Sequence, residues 1–382
     1  MTAKEVVNFR FPTPIRFGAG ARSALSEFAS AHGIKRPLVV TDSGLMQTDA
    51  YRLMTQTMDA LFTDSWHVFS GVHPNPLEDD AYQGSAAYAE HNCDAILALG
   101  GGSAMDGAKA IVLSIGAPGK TLAEIPLSEL PELIVPLCAI PTTAGTGSEV
   151  GQSTVVTLAS HGRKAVLGCK ALLPQMAILD PELTVGLPPG LTAATGMDAM
   201  THAIESFVCP VFHPMCDGIA LEAIYRVNQY LPRAVENGGD LQARGEMLVA
   251  ASMGAVAFQK DLGAAHSLAH PLSTEFGVHH GLANALVLPS VIRFNGEVDS
   301  AQYRRVAIAL DLIPGADPAE QVAQHIEALN RSLGIDKRLR DVVPDESALP
   351  KLANKAVQDG CHLTNPRPCK EADLLDLYKK SW

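Results

Sequence analysis

Short apolar segments alternate with helix-like segments in the first half of the chain, and this alternation constrains the fold more than any other feature. Apolar runs occupy residues 37–42, 66–72, 94–103, 133–143, 153–158 and 176–183. Strands that alternate with helices are typical of a parallel sheet with crossover helices on its faces. The alternation stops at LTVGLPPGLTAA (residues 183–194), where prolines and glycines indicate a connection between two regions.

The remainder of the chain has the pattern of a helical domain. Helix-like stretches cover residues 192–208, 214–230, 240–257 and 318–334. A chain of 382 residues exceeds what one hydrophobic core usually supports, so two domains are expected. We therefore predict an α/β domain over residues 1–186 and an all-helical domain over residues 187–382.

The composition argues against several classes of protein. Hydrophobic residues make up 47% of the chain and charged residues 18%, which argues against intrinsic disorder. The net charge is −12 and basic residues form no stripe, so neither nucleic acid nor an anionic membrane surface is an expected partner. No apolar run reaches the roughly 18 residues of a membrane span, and MTAKEVVNFRFPTP lacks the pattern of a signal peptide. The seven cysteines form no CxxC pair, so we expect a soluble protein of the reducing cytoplasm rather than a disulfide framework.

Two polar loops that contain glycine follow predicted strands. Gly100, Gly101, Gly102 and Ser103 end one strand and open a helix, where glycine lets a pyrophosphate approach the backbone and the helix N-terminus supplies N–H donors. The loop PTTAGTGSE (residues 141–149) places hydroxyl groups after another strand. The GxGxxG fingerprint is absent and tight turns also need glycine, so either loop alone is compatible with a purely structural role. Together the loops predict a site for a cofactor that carries phosphate.

Three charged residues lie near these loops. Asp42 ends the first predicted strand, where a carboxylate can accept a hydrogen bond from a ribose 2′-hydroxyl and would repel a 2′-phosphate. This favours NAD over NADP, although an ordinary helix N-cap is the alternative. Asp106 and Lys109 lie one helical turn apart, which is compatible with a surface ion pair.

The helical half contains a cluster of potential metal ligands. Asp198 and His202 are four positions apart, as are His266 and His270, so each pair lies on one face of a helix. His280 follows 14 residues after His266 and can return on a later element. One such pair is usually a solvated helix face, but these pairs have small apolar neighbours, and buried polar groups need partners. A carboxylate with neutral imidazoles suits Zn²⁺ or Fe²⁺, and the pattern therefore predicts a metal site.

Taken together, the motifs GVHPNP, GGGSAMDGAKA, PTTAGTGSEV, GLTAATGMDAMTHAIES, HSLAHPL and HHGLANALVLP resemble the iron-containing (group III) alcohol dehydrogenases. The resemblance covers essentially the whole chain, from FRFPTPIRFGAGA to LTNPRP. It implies an N-terminal α/β nucleotide-binding domain and an all-helical C-terminal domain, the dehydroquinate synthase-like architecture. It also implies an active site in the cleft between the two domains.

The resemblance assigns roles to individual positions. It implies that Fe²⁺ or Zn²⁺ is held by Asp198, His202, His266 and His280. It implies that His270 lies beside the substrate and relays a proton, and it gives no role to His279. The cofactor-binding positions that it implies are Asp42, Asn75, Gly100, Gly101, Gly102, Ser103, Asp106, Thr142, Thr143, Ser148 and Lys164.

The implied activity is that of an NAD-linked alcohol dehydrogenase acting on a small primary alcohol or aldehyde, in a homodimer. A Lewis-acid metal would lower the pKa of the alcohol oxygen, and hydride would pass to the nicotinamide ring. Related architectures leave alternatives open: a hydroxyacid–oxoacid transhydrogenase, a maleylacetate reductase, a glycerol dehydrogenase or a dehydroquinate synthase. The complete Asp-His-His-His set together with PTTAGTGSE argues against the last two.

The run AFQKDLGAAH departs from the family pattern, because Lys260 and Asp261 stand where many relatives have an asparagine-rich segment. One interpretation is an exposed Lys–Asp pair in a loop. The sharper hypothesis is that Lys260 reaches the pocket and pairs with a substrate carboxylate. That would shift the substrate from a plain alcohol towards a hydroxy acid or its semialdehyde, such as 4-hydroxybutyrate.

Overall fold

The structure is a computed structural model that describes residues 9, 11, 13–160 and 163–382. The prediction that a signal peptide is absent rests on residues 1–14, of which residues 1–8, 10 and 12 lie outside the described residues. The strands are β1 (Ile15–Phe17), β2 (Pro37–Val40), β3 (His67–Phe69), β4 (Ala95–Gly100), β5 (Leu137–Pro141), β6 (Ser153–Leu158), β7 (Arg163–Gly168) and β8 (Met176–Leu179). The helices are α1 (Leu25–His32), α2 (Asp49–Phe62), α3 (Glu78–Glu90), α4 (Gly102–Gly116), α5 (Pro189–Val208), α6 (Pro214–Glu236), α7 (Leu241–Ala257), α8 (Ala264–Phe276), α9 (His280–Gly296), α10 (Ser300–Ala309), α11 (Pro318–Ser332), α12 (Leu349–Ala356) and α13 (Glu371–Lys380).

A six-stranded parallel sheet forms the centre of the N-terminal half, with the strand order β1-β8-β5-β4-β2-β3. The four strands β2, β4, β5 and β8 are buried along their whole length, as continuous apolar runs require when helices cover both faces. The segment 153–158 does not join this sheet. It forms β6, which pairs with β7 in a separate antiparallel hairpin.

The strand order reverses between β2 and β4. From β2 the chain moves outward to β3, then crosses back to β4 on the other side of β2 and continues towards β5 and β8. At such a switch point the loops leave the two neighbouring strands in opposite directions and open a crevice at their carboxyl ends. Asp42 follows β2 at this crevice and Gly101 follows β4.

Within residues 180–382, all of which the structure describes, every regular element is helical. The fold class predicted from the sequence, an α/β half followed by an all-helical half, is therefore confirmed. The longest uninterrupted burial is in α5, where nearly every residue from Thr192 to Val208 lies in the core. The predicted stretch 192–208 begins three residues earlier in the structure, because Pro189 supplies the preset φ of a first helical turn.

Two helices that carry the histidines contain internal prolines. Pro271 lies within α8 and Pro289 within α9. Proline removes a hydrogen bond from a helix interior, so a helix at these positions needs tertiary packing to persist. That packing is present, since most residues of both helices are buried. Across the described part of the chain, no helix is long and apolar enough to cross a membrane.

Candidate active site

One carboxylate oxygen in the helical half faces three imidazoles. The Oδ1 atom of Asp198 lies 3.9 Å from Nε2 of His202, 3.8 Å from Nε2 of His266 and 3.4 Å from Nε2 of His280. Asp198 and His202 come from adjacent turns of α5, His266 from α8 and His280 from the first turn of α9. We call these four residues the Asp198 cluster. The structure thus brings together the four residues that the family resemblance singled out.

Close helix packing places α9 against α5. At Gly281 an added Cβ would lie 2.0 Å from the carbonyl oxygen of Ala194, so only glycine fits at this crossing. The close approach carries Asn284, one turn further along α9, into the Asp198 cluster. Its amide nitrogen donates to Oδ1 of Asp198 at 2.8 Å and lies 3.3 Å from Nε2 of both His266 and His280. Asn284 is completely buried, and it was not predicted from the sequence.

A second carboxylate orients His266. The Oε2 atom of Glu205 lies 2.6 Å from Nδ1 of His266, and its Oε1 atom accepts the backbone N–H of Ala265 at 2.6 Å. Since Nδ1 is occupied in this way, Nε2 is the nitrogen left to face Asp198. Glu205 was also missed, although a signal existed: Asp198, His202 and Glu205 follow one another at the i, i+4 and i+7 positions of one helix face.

The electrostatics of the Asp198 cluster keep Asp198 ionised and keep His202 and His280 neutral, as metal ligation requires. Burial opposes the charge on Asp198, but the three imidazoles and Asn284 hold the pKa of this carboxyl well below its usual range. Burial lowers the pKa of His202 to about 4, and it also lowers the pKa of His280 well below its usual value. For His266 burial works in the same direction, but Glu205 outweighs it and raises the pKa. The cluster therefore offers one carboxylate, two imidazoles held in the neutral form and, in His266, a more basic imidazole paired with Glu205.

The donor set and its spacing fit a divalent metal ion. Ligand atoms about 2.1 Å from a common tetrahedral ion are about 3.4 Å from one another, close to the separations around Asp198. The ligand atoms of Asp198, His202 and His266 also lie within 4.8 Å of one another, and all three residues are buried. The amide oxygen of Asn284 and Nδ1 of His202 are buried there without a hydrogen-bond partner among the described residues. One oxygen and three imidazole nitrogens suit a borderline ion such as Fe²⁺ or Zn²⁺.

His270 lies beside the Asp198 cluster and makes a different set of contacts. It follows His266 by one turn of α8, and its ring stacks on that of His280 with centroids 5.2 Å apart. Its Nδ1 atom pairs with Oδ2 of Asp359 at 2.7 Å. His270 is only partly buried, with 25% of its side chain exposed. His279 is exposed and immediately precedes α9.

The two predicted phosphate loops contact each other at the carboxyl ends of β4 and β5. Gly100 adopts φ 147°, where a Cβ would lie 2.6 Å from Ala104 and 3.7 Å from Oδ2 of Asp42. The carbonyl of Gly100 accepts the backbone N–H of Thr142 at 2.9 Å. A Cβ at Gly101 would lie 3.3 Å from the Thr143 side chain. Glycine is therefore needed here for backbone conformation and for loop contact, and the arrangement places Asp42 beside the glycine loop.

Asp106 and Lys109 do not form a surface pair, so that interpretation is wrong. Lys109 is 1% exposed, and its Nζ atom donates to the Ser148 carbonyl and hydroxyl at 2.7 and 2.9 Å. It also donates to the carbonyls of Gly151 and Ser153 at 2.9 and 3.0 Å. Burial lowers the pKa of Lys109 to about 8. The ammonium thus fixes the loop that follows β5.

The other proposed cofactor positions lie around the same crevice. Asp106 accepts from the Ser148 hydroxyl at 2.9 Å and from the Val155 backbone N–H at 3.1 Å. The Ser103 hydroxyl donates to the Pro74 carbonyl at 2.5 Å, next to the exposed Asn75. Lys164 lies on β7, and burial lowers its pKa while Asp106 opposes the shift.

The loop after β5 also contacts the helical half. The Ser252 hydroxyl of α7 donates to Glu149 at 2.5 Å. A Cβ at Gly147 would lie 2.6 Å from the Ala251 carbonyl, and one at Gly145 would lie 2.9 Å from the Thr195 carbonyl of α5. The loop after β5 is therefore in direct contact with α5, the helix that carries Asp198, and with α7.

Lys260 is not an unpaired cation that is available to a substrate. It is 2% exposed, and its Nζ atom bonds Oδ1 of Asp217 at 2.5 Å and the Phe207 carbonyl at 3.1 Å. The hypothesis of a substrate-binding ammonium is contradicted, because its hydrogen bonds go to the start of α6 and the end of α5. The alternative interpretation, an exposed pair of Lys260 and Asp261 in a loop, is also wrong, because Lys260 is buried and pairs with Asp217.

Comparisons with known proteins cover both halves of the chain. The family model described as "Iron-containing alcohol dehydrogenase" matches residues 12–181, and "Fe-containing alcohol dehydrogenase family, C-terminal" matches residues 192–382. The chain is 40% identical to 4-hydroxybutyrate dehydrogenase of Cupriavidus necator over 97% of its own length and 98% of the relative's. It is 35% identical to lactaldehyde reductase of Escherichia coli strain K12, with 96% and 97% covered. The crystal structure of a 1,3-propanediol oxidoreductase matches with a TM-score of 0.94 and 32% identity, over 99% of this chain and 100% of that one.

Proposed function

The chain belongs to the iron-containing alcohol dehydrogenase family, and on that premise we propose that it interconverts 4-hydroxybutyrate, or a hydroxy acid of similar size, and the corresponding semialdehyde with NAD. Membership of the family makes the protein an oxidoreductase, in agreement with the prediction from the sequence. The observation that carries the proposal is the Asp198 cluster, whose helix α5 is in contact with the loop after β5. The substrate class is supported by the 40% identity to a 4-hydroxybutyrate dehydrogenase along nearly the whole of both chains.

We assign the metal to Asp198, His202, His266 and His280, whose ligand atoms face one another. When bound, a divalent ion supplies a Lewis acid that makes the hydroxyl of an alcohol more acidic. Glu205 and Asn284 hold His266 and Asp198 in place from outside this set. Such partners of metal ligands contribute to affinity by fixing tautomer and orientation.

For the nucleotide we assign the pyrophosphate to the loop Gly100 to Ser103 at the start of α4, together with Thr142 and Thr143. Backbone N–H groups at a helix N-terminus bind phosphate oxygens, and α4 is 15 residues long. Asp42, which already accepts the backbone N–H of Leu45 at 3.0 Å, is placed to accept from a ribose hydroxyl. This favours NAD over NADP.

The remaining assigned positions frame the nucleotide. Ser103 bonds the Pro74 carbonyl next to Asn75, Asp106 accepts from Ser148, and Lys164 is attracted by the charge of Asp106. The mutual bonds of Asp106, Ser148 and Lys109 hold the loop after β5 in shape. Residues 1–186 would then bind the nucleotide and residues 187–382 the metal.

The reaction balances as a hydride and a proton leaving the carbinol group of the substrate. NAD, if held by the phosphate loops, would supply the hydride acceptor, and the hydroxyl proton would leave for solvent, so that the products would be aldehyde, NADH and H⁺. His270 is partly exposed and lies next to His280, so it is our candidate for moving that proton. In the direction of reduction the same atoms move in reverse.

The test is a substrate panel on protein reconstituted anaerobically with Fe²⁺ or with Zn²⁺, followed by NADH absorbance. We expect kcat/KM for 4-hydroxybutyrate to exceed that for 1-butanol, 1,3-propanediol and lactaldehyde. A preference for an uncharged alcohol would reject the substrate class but keep the dehydrogenase. Turnover between a hydroxy acid and an oxo acid without free NAD would point to a transhydrogenase, and full activity after metal removal would point to a maleylacetate reductase.

We further propose a homodimer in the cytoplasm. β1 lies at one end of the sheet order, and Ile15 and Phe17 on it are exposed, so among the described residues this apolar edge is open to a second copy. All seven cysteines lie in the described part of the chain and are unpaired, as expected in a reducing compartment. Light scattering of the purified protein tests the dimer, and a monomer at micromolar concentration would reject it.

A further inference from the structure

Asp359 occupies the loop between α12 and the short 3-10 turn Gly360–Thr364, far from the metal ligands in sequence. Its two carboxylate oxygens are both bonded. Oδ2 lies 2.7 Å from Nδ1 of His270. Oδ1 accepts the Ser267 hydroxyl at 2.9 Å and the backbone N–H of Cys361 at 2.9 Å. Ser267 is fixed in turn, because its oxygen accepts the backbone N–H of His362 at 2.8 Å.

These contacts determine the form of the His270 ring. An ionised carboxylate only accepts hydrogen bonds, so Nδ1 of His270 carries a proton and, in the neutral ring, the lone pair is on Nε2. Burial opposes the charge on Asp359, but the bonds from His270 and Cys361 keep the pKa of this carboxyl well below its usual range. Asp359 therefore stays an acceptor at neutral pH.

The nearby thiol is not a competing reactive group. The ligand atoms of His270, Asp359 and Cys361 lie within 4.8 Å of one another, which could suggest a second metal site. Burial and the adjacent Asp359 raise the pKa of the Cys361 thiol, so it stays protonated. Both oxygens of Asp359 are already used within the protein. The group is thus better explained as a support for His270.

We propose that Asp359 is the positioning residue for His270, and that it fixes the ring orientation and the tautomer in which Nε2 takes the substrate proton. This proposal rests on the proposed dehydrogenase function. Ser267 acts on Asp359 rather than on His270, because its hydroxyl donates to Oδ1, the second carboxylate oxygen of Asp359. The pair follows the logic of an aspartate that orients a catalytic histidine through Nδ1.

The decisive variant is Asp359→Asn, which keeps the size of the side chain but can place an N–H group against Nδ1. His270 would then adopt the other tautomer, with the proton on Nε2 and no lone pair there. We expect kcat to fall about 100-fold, within the usual contribution of general acid–base catalysis. The metal content and the KM for NAD are expected to stay within about twofold of wild type, because neither the Asp198 cluster nor the phosphate loops include Asp359.

A double-mutant cycle with His270→Gln separates positioning from a general structural effect. If Asp359 acts through His270, Asp359→Asn has less than about a twofold effect on kcat in the His270→Gln background. An equal loss in both backgrounds would overturn the proposal. So would wild-type kcat in Asp359→Asn when wild type itself is active. A wild type without alcohol-dependent NADH formation would instead reject the proposed function.

Two further variants supply a matched control and a second test of the proposal. Asp317→Asn alters an exposed helix N-cap on α11 and serves as a matched control, with wild-type kcat expected. Should Asp359→Asn fail to fold, as shown by thermal unfolding, Ser267→Ala supplies the second test. It removes one donor to Asp359 and is expected to lower kcat by several fold in wild type and not at all in His270→Gln. A loss in both backgrounds would again count against the proposal.

Discussion

His266 and His270 lie one turn apart on α8, and each is paired with a carboxylate from elsewhere in the chain. The two carboxylate–imidazole pairs differ in burial. Glu205 meets Nδ1 of His266 at 2.6 Å with both side chains 2% exposed, whereas Asp359 meets Nδ1 of His270 at 2.7 Å with side chains 22% and 25% exposed. The bonding is the same in both, and the surroundings differ. The Nε2 atom of His266 faces a second buried carboxylate, that of Asp198, which suits a permanently held ion. His270 has access to solvent, which suits a proton that must leave.

The comparison teaches that spacing along a helix does not assign a role to a histidine. His266 and His270 share an i, i+4 pair and would both be counted as ligands on spacing alone. The partner of each Nδ1 atom is similar as well. What separates the two residues is the second carboxylate that faces Nε2 of His266 and the greater exposure of the His270 side chain.

The largest expected effect comes from replacing the two histidines separately. His266→Ala removes a donor from the buried cluster and is expected to abolish both bound metal and activity. His270→Ala is expected to keep the metal and to lower kcat about 100-fold. Metal analysis of the purified variants, alongside kcat, measures both. An empty metal site in His270→Ala would break the distinction between the two pairs.

A smaller effect is expected at Lys109, the buried lysine that holds the loop after β5. The folded state lowers the pKa of Lys109 to about 8, whereas an unfolded chain keeps an ordinary value near 10.4. Between these values the unfolded chain binds more protons, so a rise in pH through this window stabilises the folded state. We expect the free energy of unfolding of wild type minus that of Lys109→Met to grow by about 2 kcal/mol from pH 7.5 to 9.5. Urea denaturation at both pH values measures it, and a constant difference would show that folding does not lower the pKa of Lys109.

The smallest effect is expected at Lys260, where the buried ammonium is already paired with Asp217. Lys260→Ala should leave the ratio of kcat/KM for 4-hydroxybutyrate to that for 1-butanol within about twofold of wild type. It should lower stability, because Asp217 loses its partner. A loss of preference for the hydroxy acid alone, at unchanged activity on butanol, would restore Lys260 as a substrate-binding group.

Much of the fold follows from local patterns that survive in the tertiary structure. The buried strands β2, β4, β5 and β8 are recognisable as continuous apolar runs between helix-like segments. The stretch 153–158 was also recognisable as a strand, but its separation from the main sheet depends on its partner β7. The internal prolines of α8 and α9 obscure helices that packing nevertheless stabilises.

In the candidate site, too, local sequence patterns identify some residues, and only contacts between distant parts of the chain identify the others. Asp198, His202 and Glu205 share one helix face, so the whole set was available from spacing. Asp359 is 89 residues from His270, and no local pattern links them. The positions of Lys109 and Lys260 depend on burial, which a charged residue in a sequence does not reveal.

A chelator competition titration of Glu205→Gln and Asp359→Asn tests the central claim most directly, because each variant changes the oxygen that faces one Nδ1 atom. The account predicts that Glu205→Gln weakens metal binding about 10- to 100-fold, as expected for a partner of a metal ligand. It predicts that Asp359→Asn leaves the metal Kd within about twofold of wild type. Equal weakening in both variants, or weakening only in Asp359→Asn, would contradict the assignment of one pair to the metal and the other to the proton.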